Sequence, residues 1–589
     1  MKKHYPFLFL LAVYALIFAF LQTYSEYHFY FVEQNQLFQS SWPYVSEHLM
    51  QPGGAALVVS EFLVQFFLLP GAGAGITAAL ITAAGWLAYR IIRRVRPGVS
   101  LVVLCLLPAL TLLFVHFDFN YIASGTVAFL MAEAAFCLVL GIKDVRWRFA
   151  AHATVIPALF LLAGPVFMLY TALALIAPLP SRKLELWGKV ALAAGTLLIG
   201  ILGVYFALYA EYRHVFLPDG YYHFSLKPHS VIYFSWISLS LIFALACFLG
   251  KRRADGKADR KKLNRYGIPL QIALLAFAGY FGVQAYSDKG SYMMKELGYY
   301  SRTGQWDKVL ERCRGKLSNY LYMAYANLAL TERGELGDRM FAFDQHGTQG
   351  LLIDWNRTAS VSILLSDIYF AVNATALSQE MAFEAYTSAI GDGNPRMMKR
   401  LVQTNLINGS YAVAEKYISI LENTLCYRAW AREQRRFLDN DAEVEGDALL
   451  GNKRRSLMPD ASLAMIDGIE AELQGIASAN PSDRAAIEYA GAIYLLGKDM
   501  DGFRELIDKY FATPVLPALP VAFQEAAIIL SEKDPDYLRR FDISEAVASR
   551  FAQYKRQVVE GNRSANANAL PSLLLRAYGD TYWYYFMFK

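Results

Sequence analysis

The chain has 589 residues, of which 55% are hydrophobic and 14% aromatic, and its net charge is +5. That length calls for more than one domain, and so small a charge excludes a nucleic-acid signature. Five cysteines with no CxxC and no HExxH exclude a disulfide framework and a tight structural metal site.

Apolar runs near ~20 residues, the length of a transmembrane helix, follow one another up to Tyr286, and none comes after it. The basic start MKKHY leads into Phe7 to Gln22 with no small-x-small cleavage site, so it reads as a retained first span with a cytoplasmic N-terminus. Ala55 to Ile92 reads as the next crossing. Leu57 to Leu69 enters from the outer side, and Gly71 to Ile92 completes the passage after the Pro70–Gly71 break, ending at Arg90, Arg93, Arg94 and Arg96. Val99 to Phe117 crosses outward, and Tyr121 to Ile142 returns to Lys143, Arg146 and Arg148. Ala153 to Pro180 is broken at Gly164–Pro165 and basic at both flanks, which predicts two short helices, out and back. Leu186 to Tyr209 crosses outward, Val231 to Leu249 returns to the basic loop Lys251 to Arg265, and Ile268 to Tyr286 leaves again. The expectation is about nine spans with every basic cluster on one side, as the positive-inside rule requires. The outer loops then fall at 23–56 and 210–230, and the second half lies outside.

From Ser287 the apolar pattern is helical with short turns, so the fold class is all-α: a polytopic transmembrane bundle at 1–286 followed by a soluble helical-hairpin domain at 287–589. Four helix–turn–helix segments are centred on Gly304, Gly334, Gly409 and Gly497, in the manner of tetratricopeptide-type hairpins. Stacked hairpins of that kind leave a concave binding surface. Asp439 to Leu457 reads as a charged loop or exposed helix. The aromatic tail Tyr578 to Lys589 predicts docking on the domain or at the membrane interface.

The first outer loop, YSEYHFYFVEQNQLFQSSWPYVSEHLMQPGG, concentrates Glu26, His28, Glu33, Glu47 and His48 among aromatic residues. Carboxylates framed by aromatics at a membrane surface suit a substrate with a lipid tail and a polar head. A carboxylate there can take a proton from an acceptor hydroxyl or hold a divalent cation, Mg or Mn. The second outer turn, HFDFNYIASG, adds Asp118 and Asn120 on the same side, so Glu33 and Asp118 are the expected ligands if a cation is used. In EYRHVFLPDGYYHFSLKPHS, Arg213, His214 and Lys227 could hold a phosphate, with His28 as a further substrate contact. Glu133, inside a span, must face a polar interior or partner, and Glu61 begins another apolar run near the outer surface. No Walker A, Rossmann fingerprint or G-x-S-x-G element occurs.

Many spans, an acid in the first long outer loop (Glu33 or Glu26), a second acid in the next (Asp118) and an outer helical domain resemble the GT-C class of membrane glycosyltransferases. The segment SEHLMQPGGAALVVSEFLVQFFLLPGAG is also similar to an uncharacterised bacterial membrane family related to that class. This chain departs from the class in having separated glutamates where many members carry an adjacent acidic pair, and it has no WWDYG-like motif.

The resemblance implies transfer of a sugar or glycan from a polyprenyl-phosphate-type lipid donor to a protein or glycan acceptor on the periplasmic side of a bacterial inner membrane. Glu33, Asp118 or Glu26 would be catalytic, and no nucleic acid would be involved. The rival expectations are a membrane-anchored scaffold for envelope assembly, or a transporter or flippase component using the broken helix at Gly164–Pro165.

Overall fold

The computed structural model describes residues 5–95, 101–178, 182–206, 212–249, 257–287, 289–458, 468–532, 535–563 and 570–589. Arg96, Pro180, Glu211 and residues 251–256 of the basic loop lie outside the described residues. Among those described, the chain is helical, with two isolated β-bridges and no strand. It forms two units. The first holds residues up to Tyr292 together with two short loop segments, Ile390–Asp392 and Asn423–Cys426; the second holds the remainder.

In the first unit, α1 (Tyr5–Tyr24) and α2 (Glu26–Glu33) meet at an 80° bend. Ser25 makes it, leaving helical geometry at φ −137° and ψ 21°. Then follow α3 (Trp42–Leu49), α4 (Gly54–Val64) and α5 (Ala72–Val95). The sequence reading joined α4 to α5 as one crossing. The expected break at Pro70–Gly71 is there, and α5 alone has 24 residues, about 36 Å at 1.5 Å per residue, long enough by itself for a ~30 Å hydrocarbon core. Ala74, Ala78, Ala84 and Ala88 on α5 are all but fully buried. Small residues at such spacing let neighbouring helix backbones approach closely.

Next come α6 (Leu107–Val115), α7 (Ser124–Val139), α8 (Val145–Ala163) and α9 (Phe167–Ile176). Here α6 and α7 are shorter than the spans expected for them. The break at Gly164–Pro165 is a chain reversal. His152 Nδ1 on α8 lies 2.9 Å from Tyr170 Oη on α9, whereas a straight helix would hold residues that far apart at ~27 Å. Gly164 makes the turn at φ 74°, a backbone region that side chains rarely enter. The unit closes with α10 (Arg182–Tyr205), α11 (Tyr212–Phe216), α12 (Phe234–Leu249) and α13 (Lys257–Tyr286). Among the described residues, and by length and composition alone, five apolar segments are long enough to cross a membrane, with Val145–Ile176 (α8 and α9) counted as one, or six if the bent α1–α2 pair is one span. Glu133 on α7 is fully buried, as its cost in an apolar span requires.

In the second unit many successive helices pack against one another. Gly304, Gly334 and Gly409 each turn at positive φ, where a glycine is favoured. At the fourth expected turn the left-handed residue is Lys498 and not Gly497. The charged stretch at 439–457 is two short helices, Asp441–Gly446 and Leu450–Arg455, and it is not simply exposed: Val444 and Leu450 are core residues. Lys453 is buried with them and donates to Asn373 Oδ1 at 2.7 Å. The aromatic tail docks on this unit as the helix Tyr582–Phe588.

Candidate functional site

The best-built constellation in the first unit starts from two helix ends. Pro43 sets the first turn of α3, which places Tyr44 and His48 one turn apart on its buried face. Gly53, left-handed at φ 85°, turns the chain into α4, and Glu61 lies two turns along it, 2% exposed. The third member, Asp392, comes from the loop segment Ile390–Asp392. The Gly391 N–H donates to the Asn35 carbonyl at 3.2 Å and pins that loop in the unit. A side chain at Gly391 would press on Glu61 Oε1 and the backbone of Gln36.

His48 Nδ1 lies 2.9 Å from the Tyr44 carbonyl oxygen, which can only accept, so Nδ1 carries a proton. Nε2 stands 2.8 Å from Asp392 Oδ2. Facing a carboxylate at that distance, Nε2 must also be protonated, and His48 is an imidazolium. The hydrogen bond to Asp392 raises its pKa to about 9 against the opposing effect of burial, with the Tyr44 carbonyl adding to the rise. Tyr44 Oη is 2.5 Å from Glu61 Oε2 and 2.8 Å from the Leu37 carbonyl. One hydroxyl has one proton, so both contacts are satisfied when the Glu61 carboxyl supplies the second. Burial keeps the Tyr44 hydroxyl protonated.

Ligand atoms of His48, Glu61 and Asp392 all lie within 4.8 Å of one another. Tetrahedral binding at ~2.0–2.1 Å asks for ligand atoms about 3.3 Å apart, so small side-chain adjustments would seat a divalent cation. Gln36, whose backbone lies against Gly391, is buried, and among the described residues neither polar atom of its amide has a hydrogen-bond partner. An orphaned buried amide is costly. The arrangement can hold a cation, or store and release protons.

A Cβ at Gly54 would stand 1.8 Å from the His48 carbonyl oxygen. Gly54→Ala is therefore expected to cost on the order of 3 kcal/mol or more. Melting curves in detergent check this against Gly195→Ala, which meets nothing within 4 Å and should be near neutral.

The sequence profile of a family described as a family of unknown function, DUF6057, matches residues 3–589. The chain belongs to DUF6057. No curated protein and no solved structure matches it.

In this DUF6057 chain the expected catalytic acids lie elsewhere in the same unit. Glu33 ends α2 and is 1% exposed, while Glu26, at its start, is half-buried and His28 buried. Asp118, on the turn after α6, accepts from Tyr222 Oη at 2.6 Å and from the Asn120 N–H at 2.9 Å, and His229 Nε2 stands 3.8 Å away. That turn pairs with the loop after α11 through the Ile122 N–H and the Tyr221 carbonyl, so Asp118 does meet the loop that carries the expected basic residues. Phe31 meets Phe119 edge-on at 5.1 Å, which brings α2 against the Asp118 turn. Arg213 and Lys227 are exposed and His214 half-buried. Among the described residues the three-ligand grouping is His48–Glu61–Asp392, and Glu33 and Asp118, the expected cation ligands, are outside it. Sequence reasoning noted His48 and Glu61 but missed Asp392, whose one local signal is an acid between two glycines.

Proposed function

We propose that this chain is a membrane glycosyltransferase or oligosaccharyltransferase. It moves a sugar or glycan from a polyprenyl-phosphate-type lipid to a protein or glycan acceptor on the periplasmic side of the inner membrane. In this reading about nine spans carry the site, the N-terminus is cytoplasmic, and the tetratricopeptide-like second half receives the acceptor. One observation carries the reading: the His48–Glu61–Asp392 set beside the orphaned Gln36 amide, built where apolar helices meet polar loops.

An acceptor hydroxyl is a weak nucleophile and needs a positioned proton acceptor. Asp392, with 44% of its side chain exposed, is the member open to one. His48 holds that carboxylate in place and shares its proton with it. The imidazole in the donor set fits Mn better than Mg, and a bound divalent cation would supply the positive charge that a departing lipid phosphate needs. Asp118 and Glu33 are the further acids of the same unit, with Arg213 available to a phosphate.

The test is envelope glycan profiling of a deletion strain, complemented at matched membrane levels with wild type, Asp392→Asn, Asp118→Asn or Glu33→Gln. The deletion should lose one glycan class. Wild type should restore it, and Asp392→Asn should fall short by about 10² or more, the usual worth of a general base. Full rescue by all three variants would remove these catalytic roles. An unchanged profile in the deletion would favour the scaffold.

A further inference from the structure

The second unit carries an exposed Asn-x-Thr sequence, Asn356–Arg357–Thr358. An asparagine two residues ahead of a serine or threonine, with no proline between, is the acceptor pattern for a glycan on the side-chain amide nitrogen. The pattern is short and arises by chance, so exposure and hydrogen bonding decide which occurrence can react. It recurs at Asn373, Asn408 and Asn562, and Pro481 disqualifies Asn480.

Asn373 is 5% exposed. Its Nδ2 donates to Asp483 and its Oδ1 accepts from Lys453, so nothing outside can reach the amide. Asn408 caps the helix Pro395–Ile407 with helical backbone angles, and its Nδ2 already donates to Gln379 Oε1 at 2.9 Å. The sequence begun by Asn562 ends at Ser564, outside the described residues.

Asn356 differs in each respect. It is exposed together with Arg357 and Thr358, in non-helical backbone just before the helix Ala359–Ala371. Trp355 anchors that stretch, its Nε1 donating to Ser362 Oγ at 3.0 Å. Arg357 turns the chain at φ 61°. Asn356 Oδ1 accepts twice from Thr358, from the backbone N–H at 3.1 Å and from Oγ1 at 2.6 Å. Both bonds fall on the oxygen, so Nδ2 keeps its two protons for an incoming group. Donors on Oδ1 draw the amide electrons toward oxygen and make an Nδ2 proton easier to remove.

We propose that Asn356 is a glycosylation site whose Nδ2 takes a sugar from a lipid-phosphate-linked donor. A bond from Nδ2 to the anomeric carbon of the sugar forms as the bond from that carbon to the phosphate oxygen breaks. The phosphate leaves with the electron pair, and one Nδ2 proton passes to a base of the transferase. The site rests on the transferase reading in one respect: the second half must lie on the face of the membrane where that donor is used. Any transferase acting there could supply the base.

The experiment purifies the full-length protein from the membranes of its own host and reads the peptide that holds Asn356 by glycopeptide mass spectrometry. A sugar mass is expected on Asn356. It should vanish in Asn356→Gln and fall about tenfold in Thr358→Ala, which removes one of the two hydrogen bonds. Thr358→Ser, which restores the hydroxyl, and Asn408→Gln should carry it as wild type does. A wild-type peptide that is unmodified overturns the proposal, and so does a sugar mass that persists unchanged in Asn356→Gln or Thr358→Ala. The same peptide read from Asp392→Asn, expressed in the deletion strain, separates the two readings. A glycan kept on Asn356 there upholds the site and counts against this chain as its own transferase, whereas its loss supports both.

Discussion

Asp392→Asn is expected to flatten the pH dependence of stability between about pH 6.5 and 9. In the native protein the His48 pKa is raised from 6.5 to about 9, chiefly by the hydrogen bond to Asp392. A raised histidine pKa means that the folded state binds the proton more tightly. The stabilisation is fully present below about pH 6.5 and is lost as pH rises through 9. Because Asp392 is half-exposed, about 1–2 kcal/mol is expected after solvent screening. Melting temperatures taken from pH 6 to 10 should therefore fall for wild type and stay nearly level for Asp392→Asn. An equal slope in both would show that the His48–Asp392 pair does not form.

The same protonation state sets the pattern for a divalent cation. Nε2 of His48 must lose its proton before it can ligate, so binding releases that proton. The apparent affinity for Mn²⁺ should rise at least about tenfold per pH unit up to about pH 9. It should drop sharply in His48→Gln or Asp392→Asn. Titration calorimetry in two buffers of different ionisation enthalpy would count the released protons, and a count of zero would rule out His48 as a ligand.

The second large effect is expected at the C-terminus. Trp583→Ala should destabilise the second unit by about 3–5 kcal/mol, as removal of a buried Trp usually does. Trp583 is 2% exposed, donates from Nε1 to the Glu525 carbonyl at 2.9 Å and packs against the Phe551 ring. Its neighbours tie down the same helix. The Tyr582 N–H donates to Glu525 Oε2 at 2.7 Å, and Tyr585 Oη donates to the Leu496 carbonyl at 2.8 Å. Burial lifts the Glu525 pKa to about 8. Hydrogen exchange in the helix Val521–Ser531 of the full-length protein should speed up strongly in Trp583→Ala and hardly at all in Met587→Ala, whose side chain is half-exposed. Slow exchange in both would mean that the tail is not part of the core.

Much of the architecture was legible because it rests on neighbours along the chain. The all-helical class followed from apolar periodicity. Gly164–Pro165 announced a reversal, since a glycine at positive φ followed by a proline cannot continue a helix. Glu133 had to face the interior because an ionisable group in an apolar helix has no cheaper place. At 304, 334 and 409 a glycine in the turn was signal enough. At 497–498 it misled, because Lys498 takes the left-handed position and packing on the rest of the unit sustains that strain.

The candidate site was only half legible. His48 and Glu61 drew attention as polar residues among apolar ones, yet nothing near them in the chain names Asp392 as their partner. The sequence by itself determined the helices, where many of them stop, and which half is apolar enough for a membrane, because those depend on local backbone preference and on the length of apolar runs. The tertiary structure alone decided which charges meet, for a carboxylate far along the chain finds an imidazole only when the loop that carries it packs beside that helix, and the free energy of that meeting is written in no short stretch of residues.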